Sequence, residues 1–138
     1  MDPDRRSRYL EKLAFASTRC SQIEEWIEKY GSEEHMDPMP LLAIFKAYQE
    51  VTECLMDIIA MHMRDMDLPA RDDYTNIERI NIFSSDERRI LIEMNGLRNR
   101  IIHRYNATDE EIARERITYY IPHVHELLER IKEWIKGY

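Results

Sequence analysis

The stretch YLEKLAFASTRCSQIEEWIEKY, residues 9–30, decides the fold. Its apolar residues Tyr9, Leu13, Ala16, Cys20, Ile23, Ile27 and Tyr30 follow one another at steps of four and three. Those steps hold them on one stripe of an α-helix that packs at a shallow angle against its neighbours, whereas a half-buried strand would alternate every second residue. Asp2 before Pro3 supplies a start signal and Gly31 a stop, which gives a helix of about 27 residues.

The same period runs through the rest of the chain. After a loop from Ser32 to Pro38, the positions Leu41, Ile44, Phe45, Tyr48, Val51, Leu55, Ile58, Ile59 and His62 predict a second helix with a broad apolar face that ends near Met66. Residues 67–84 contain Pro69, Tyr74 and a short periodic piece from Ile77 to Ile80, and read as an irregular connection holding one or two helical turns. Ser84 with Glu87 three residues on forms a capping-box signal, and Thr108 with Glu111 repeats it. The helices that follow carry Ile90, Met94, Leu97 and Ile101, then Ile117, Ile121, Val124, Leu128, Ile131 and Ile135. Pro122 lies inside the last one and is expected to bend or interrupt it. Four amphipathic helices with short connections bury their stripes most simply as an antiparallel up-and-down bundle. The expectation is an all-α fold and a single domain over 1–138.

Composition excludes several classes of function. A chain of 138 residues suits one core. Its 43% hydrophobic and 34% charged residues are too apolar for a disordered tail. The longest apolar run, Leu41 to Phe45, falls far short of the roughly 20 residues that a membrane-spanning helix needs. The opening MDPDRRSRYLEK lacks an apolar signal core, so a cytoplasmic location is expected. Cys20 and Cys54 stand far apart with no finger-like spacing, and read as core or interface thiols rather than a disulfide or zinc site. The net charge of -7 argues against indiscriminate nucleic-acid binding and leaves room for a local basic pocket. The Met, Tyr and Trp residues on wide helical faces suit a second buried surface, and a homodimer is the expected partner for it.

The local basic pocket is LRNRIIHRYN, residues 97–106. Asn99 and His103 are four apart and share a helix face, while Arg98 lies about 140° from His103 around the axis. Arg98 therefore joins His103 only by wrapping around an open helix end or across a groove shaped by a second subunit. His103 can exchange a proton near neutral pH, and Arg98 can grip two phosphate oxygens without losing its charge. The pair suits metal-free phosphodiester cleavage, with His103 as general acid or base on a ribose 2'-hydroxyl or leaving oxygen and Arg98 stabilising charge at phosphorus. Asn99 would orient the imidazole or the substrate, and Tyr105 would donate a hydrogen bond or stack on a base. Arg100 and Arg104 add charge for RNA. Composition alone also allows a plainer reading, a solvated arginine-rich helix end paired with the helix dipole.

Arg98, His103 and Tyr105, with Asn99 after the arginine, form Arg-x4-His-x-Tyr, which resembles the motif of the HepT toxins in the HEPN superfamily. The order of the helices, with the connection at Pro69 and Tyr74, extends the resemblance over nearly the whole chain. It implies an all-helical homodimer whose motif helices line a shared cleft, and a metal-independent endoribonuclease acting as the toxin of a toxin–antitoxin pair, with RNA, a structured one such as tRNA among the candidates, as substrate. It implies no cofactor and no metal. It also implies an MntA-type minimal nucleotidyltransferase as antitoxin, which transfers AMP from ATP to the motif tyrosine, here Tyr105. The superfamily includes domains that have lost catalysis, so the alternative expectation is a non-catalytic helical dimer that docks a nucleotidyltransferase.

Elsewhere the sequence is bland. His62 reads as a satisfied buried or interface histidine, with reach into the cleft as the alternative, and His123 and His125, two apart, face differently and make a poor metal pair. Glu50, Glu53 and Asp57 share helical neighbourhoods that suit solvated charges or ion pairs, with support of a cation or positioning of Arg98 as further roles. Trp134 and Tyr138 are packing or partner-surface candidates.

Overall fold

The computed structural model describes residues 1–31, 35–103 and 107–137, with the backbone alone for 107 and 108. Its elements are α1 (Pro3–Tyr30), α2 (Pro38–Asp65), α3 (Asp73–Arg79), α4 (Ser85–Ile102) and α5 (Ala107–Lys136). Four long helices and one short one form an all-α bundle, with no strand among the described residues.

The helix ends follow local chemistry. Asp2 caps α1 by accepting the Asp4 N–H at 3.4 Å. Gly31 ends that helix in the right-handed region, its N–H donating to the Ile27 carbonyl at 2.7 Å, rather than in the left-handed turn common at glycine stops. Asp67 takes the left-handed role instead. With φ of 58° it lets Leu68 N–H reach the Met63 carbonyl at 2.8 Å and its own N–H reach that of Arg64 at 3.0 Å, a complete Schellman closure of α2. The capping box before α4 is fully formed: Ser84 N–H donates to Glu87 Oε1 at 2.8 Å and Glu87 N–H donates to Ser84 Oγ at 3.1 Å. The repeat of that signal behaves differently, because α5 begins at Ala107 and Thr108 sits in its first turn, not at the cap. The helix also runs uninterrupted through Pro122, which deletes one N–H from a helix held on its inner face by packing.

The connection between α2 and α4 has a fixed shape. Asp72 caps α3 through the Thr75 N–H at 3.2 Å and the Thr75 hydroxyl at 2.6 Å. Buried Asn76 staples the preceding loop, its Oδ1 accepting from Arg71 N–H at 2.7 Å and its Nδ2 donating to the Arg71 carbonyl at 3.0 Å.

α2 is the central helix, packed against all four others. Ile44, Tyr48, Val51, Leu55, Ile58 and Ile59 are all buried, and each large aliphatic side chain removed from water contributes about 1.5–3 kcal/mol. On α1 the stripe holds from Tyr9 to Ile23, while Ile27 and Tyr30 are only half-buried. On α5 all six stripe residues from Ile117 to Ile135 are buried. Tyr48 donates its hydroxyl to the Met94 carbonyl at 2.8 Å, tying α2 to α4. At the end holding the start of α1, Arg5 Nε pairs with Asp65 at 3.0 Å, Tyr9 donates to the same carboxylate, and Trp134 meets Tyr9 and His62 edge to face. The opposite end gathers the starts of α2 and α5 through the His35–Glu111 ion pair, beside the end of α4. No described helix is long and apolar enough to cross a membrane.

Candidate active site

The basic segment occupies the last turns of α4 and beyond. Arg98, Asn99 and Arg100 are helical, and His103 is the C-cap residue, exposed, with its backbone N–H on the Arg100 carbonyl at 3.1 Å. Arg104 and Tyr105 lie outside the described residues.

Arg98 is turned inward. Its side chain is 13% exposed, and Nη2 donates to Asn95 Oδ1 at 2.7 Å and to Asp73 Oδ2 at 3.2 Å. Nη1 lies 3.5 Å from Glu53 Oε1. Nε is buried with no hydrogen-bond partner among the described groups. Three elements thus converge on one guanidinium: Glu53 from α2, Asp73 from α3, and Asn95 from one turn earlier on α4. Asn95 is itself 1% exposed, so its amide is fixed by its surroundings.

The structure therefore sets Arg98 and His103 on the same helix end with different surroundings. Among the described residues the polar contacts of Arg98 are Asn95, Asp73 and Glu53, and His103 is not among them. The cause is the helical angle of about 140° between them, which aims one toward the bundle and the other toward solvent. Asn99 is half-buried between these directions, and Arg100 is exposed. Arg100 and Arg116 act electrostatically on Tyr120, whose phenol burial and nearby Glu93 push up to about 12 while the two arginines oppose the rise. The phenol donates to Glu93 Oε1 at 3.1 Å.

Asp73 and Asn95 were not singled out by sequence spacing. The 25-residue separation of Asp73 from Arg98 gives no periodic signal. Asn95, three residues before Arg98, was discoverable as a polar residue next to the apolar stripe of α4. Glu53 does contact Arg98, while Glu50 pairs with Arg19 at 3.4 Å and Asp57 with Lys12 at 3.5 Å.

The Nδ1 of His62 is buried with no hydrogen-bond partner among the described groups, so this histidine is not the satisfied one that the sequence suggests. His62 is 2% exposed, against Trp134, and burial lowers its pKa although Asp65 opposes the shift. His125 pairs with Glu24 on α1, and His123 leans on Tyr119. Burial pushes the thiol of Cys20 up to about 12 and that of Cys54 up to about 11. Among the described residues no group of three or more His, Cys, Asp and Glu is arranged to hold a metal ion. A groove of about 440 Å³ between α1 and α2 is lined by Arg5, Arg8, Lys12 and Arg64 with two acids, and includes neither Arg98 nor His103.

Comparison with known proteins follows the same fold. A family model described as "Ribonuclease HepT-like" matches residues 16–131. Two Archaeoglobus fulgidus proteins, each named "Putative RNase", are similar in sequence. One is 30% identical over 93% of this chain and 98% of its own length, the other 36% identical over 76% of each. A solved structure of a tri-AMPylated Shewanella oneidensis HEPN toxin, in complex with an MNT antitoxin, superposes with a TM-score of 0.79 over 96% of this chain and 99% of that one. At 20% identity it shares the bundle.

Proposed function

Because this chain belongs to the HepT-like ribonuclease family, we propose that it is an endoribonuclease toxin that cleaves RNA by histidine and arginine chemistry without a metal ion. The observation that carries the reading is a fixed arginine and an exposed imidazole on the same end of α4, at the motif positions 98 and 103, facing different directions within one chain. His103 takes the proton of a ribose 2'-hydroxyl as that oxygen attacks phosphorus, and the 5'-oxygen leaves with a proton returned to it. Arg98 faces the charge that gathers on the non-bridging oxygens. Asn99, Arg100 and Arg104 bind or orient the RNA. The reaction leaves a 2',3'-cyclic phosphate.

Two copies complete the site in this reading. Met39, Leu42, Ile102 and Ile112 are exposed apolar side chains near the ends that α2, α4 and α5 bring together, and they favour a second copy docking there. The two-fold arrangement would set the His103 of one chain near the Arg98 of the other. The active unit is then a homodimer of one-domain chains, each HEPN-like domain spanning 1–138, working in the cytoplasm.

Regulation is proposed through Tyr105. The Shewanella protein is AMPylated and bound to an MNT antitoxin by its description. By the same logic a nucleotidyltransferase antitoxin would place AMP on Tyr105, adding phosphate and bulk where RNA must enter. The capture of Arg98 by two carboxylates favours a second reading, a non-catalytic module that docks such a partner. Cleavage of RNA in EDTA by chain freed of antitoxin and AMP separates the two. The nuclease reading expects cyclic phosphate ends and resistance of RNA carrying 2'-O-methyl groups at the cut; intact RNA, or equal cutting of methylated RNA, defeats it.

A further inference from the structure

We infer that Asp73 is a built-in competitor for the substrate phosphate: it occupies the Nη2 donor of Arg98 in the resting chain and gives that place to a phosphate oxygen when RNA binds. The identity of the incoming phosphate rests on the nuclease reading. The exchange itself rests on donor geometry.

A guanidinium has five N–H groups in one plane. Both hydrogens of Nη2 are spent, one on Asn95 Oδ1 at 2.7 Å and the other on Asp73 Oδ2 at 3.2 Å. Nε is sealed from solvent. Nη1, at 3.5 Å from Glu53, is in an ion pair too long for a strong hydrogen bond and retains capacity to donate. A two-point grip on phosphate uses two parallel N–H groups on one edge of the guanidinium. The edge containing Nε is closed by burial, so the grip must use Nη1 and Nη2. One present partner of Nη2 has to leave.

Asn95 cannot leave cheaply. It is 1% exposed, and its amide would lose a buried hydrogen bond. Asp73 is 37% exposed at the start of α3, and water replaces its partner at small cost. α3 need not move, because Asp72 and Asn76 anchor it independently through Thr75 and Arg71. The exchange is a side-chain rotation. A carboxylate and a phosphate present similar acceptors to this donor edge, so Asp73 keeps the guanidinium aimed while the site is empty and weakens its hold on stray anions. Asp73 is a positioning residue in this account. Glu53, 43% exposed, guards the other nitrogen and retreats or shares in the same way.

The test uses inorganic phosphate as probe, with the Arg98 Nε–H resonance followed by NMR in the full-length chain. Asp73→Asn removes the competing charge, and phosphate should bind roughly two- to fivefold more tightly, the range expected when one part-exposed ion pair is released. Asp73→Glu restores a carboxylate and should return the affinity toward wild type. Asn95→Leu should weaken binding. Structural damage from changing Asp73 would weaken phosphate binding, so the sign separates competition from a scaffold role. Unchanged or weaker binding in Asp73→Asn, or an Arg98 resonance that phosphate does not move in either protein, overturns the inference. On RNA, Asp73→Asn should lower KM severalfold; a wild type that does not cut RNA would defeat the nuclease reading while the phosphate result still decides the exchange.

Discussion

Replacing Arg98 by Ala should damage the fold as well as the site, and the structure sets the size of each effect. The substitution strips the hydrogen bond from Asn95, a side chain 1% exposed, and an acceptor left unsatisfied at such a position costs about 1–3 kcal/mol. The ion pairs with Glu53 and Asp73 add less, about 0.2–1 kcal/mol each, because both carboxylates are more than one-third exposed and water screens them. The sum is about 1.4–5 kcal/mol. With a urea dependence of about 2 kcal/mol per molar, the unfolding midpoint should fall by about 0.7–2.5 M. His103→Ala should leave the midpoint within about 0.3 M of wild type, because the ring is exposed at a helix end. Urea titration followed by Trp fluorescence reads both variants, since Trp26 and Trp134 lie against the core. Equal midpoints for Arg98→Ala and wild type would refute the three-partner anchorage of the guanidinium. The consequence for enzymology is practical: lost activity in Arg98→Ala mixes chemistry with folding, and His103→Ala does not.

Three further outcomes follow from particular groups. The folded state lowers the pKa of His62, so the unfolded chain binds a proton at higher pH than the folded one does; stability should be full above His62's ordinary pKa and decline as pH falls through and below it. Urea midpoints between pH 7.5 and 5.5 should show that decline, and His62→Phe should flatten it. Asp67→Gly should stabilise the protein by about 0.5–1 kcal/mol in the same titration, because glycine adopts the left-handed φ at that position without steric cost. Cys20 and Cys54, buried and with their thiol pKa values raised to about 12 and about 11, should react with iodoacetamide far more slowly in the native chain than in urea.

The helices were legible because burial in a bundle is written directly in spacing. The six stripe residues of α5 and the capping box at Ser84 carry their own structural consequence wherever the rest of the chain lies. The end of α2 near Met66 was legible, but the left-handed turn at Asp67 that closes it was not, since nothing local marks that aspartate for it. Thr108 misled because a Thr-x-x-Glu pair inside a first turn looks the same as one at a cap. The site divides in the same way. Arg98 and His103 stood out as a basic, titratable pair, and Glu53 as a carboxylate available to the arginine. Asp73 did not, because a loop of fixed shape brings it to Arg98, and that shape depends on Asn76 gripping Arg71.

The most direct measurement is cleavage of a total tRNA pool in EDTA under single-turnover conditions, wild type beside His103→Ala, both unmodified at Tyr105 and both shown to be folded. Loss of a positioned general acid–base should slow cutting by about 10²–10⁴-fold with the fold intact. Equal rates for the two proteins would contradict the assignment of the chemistry to His103.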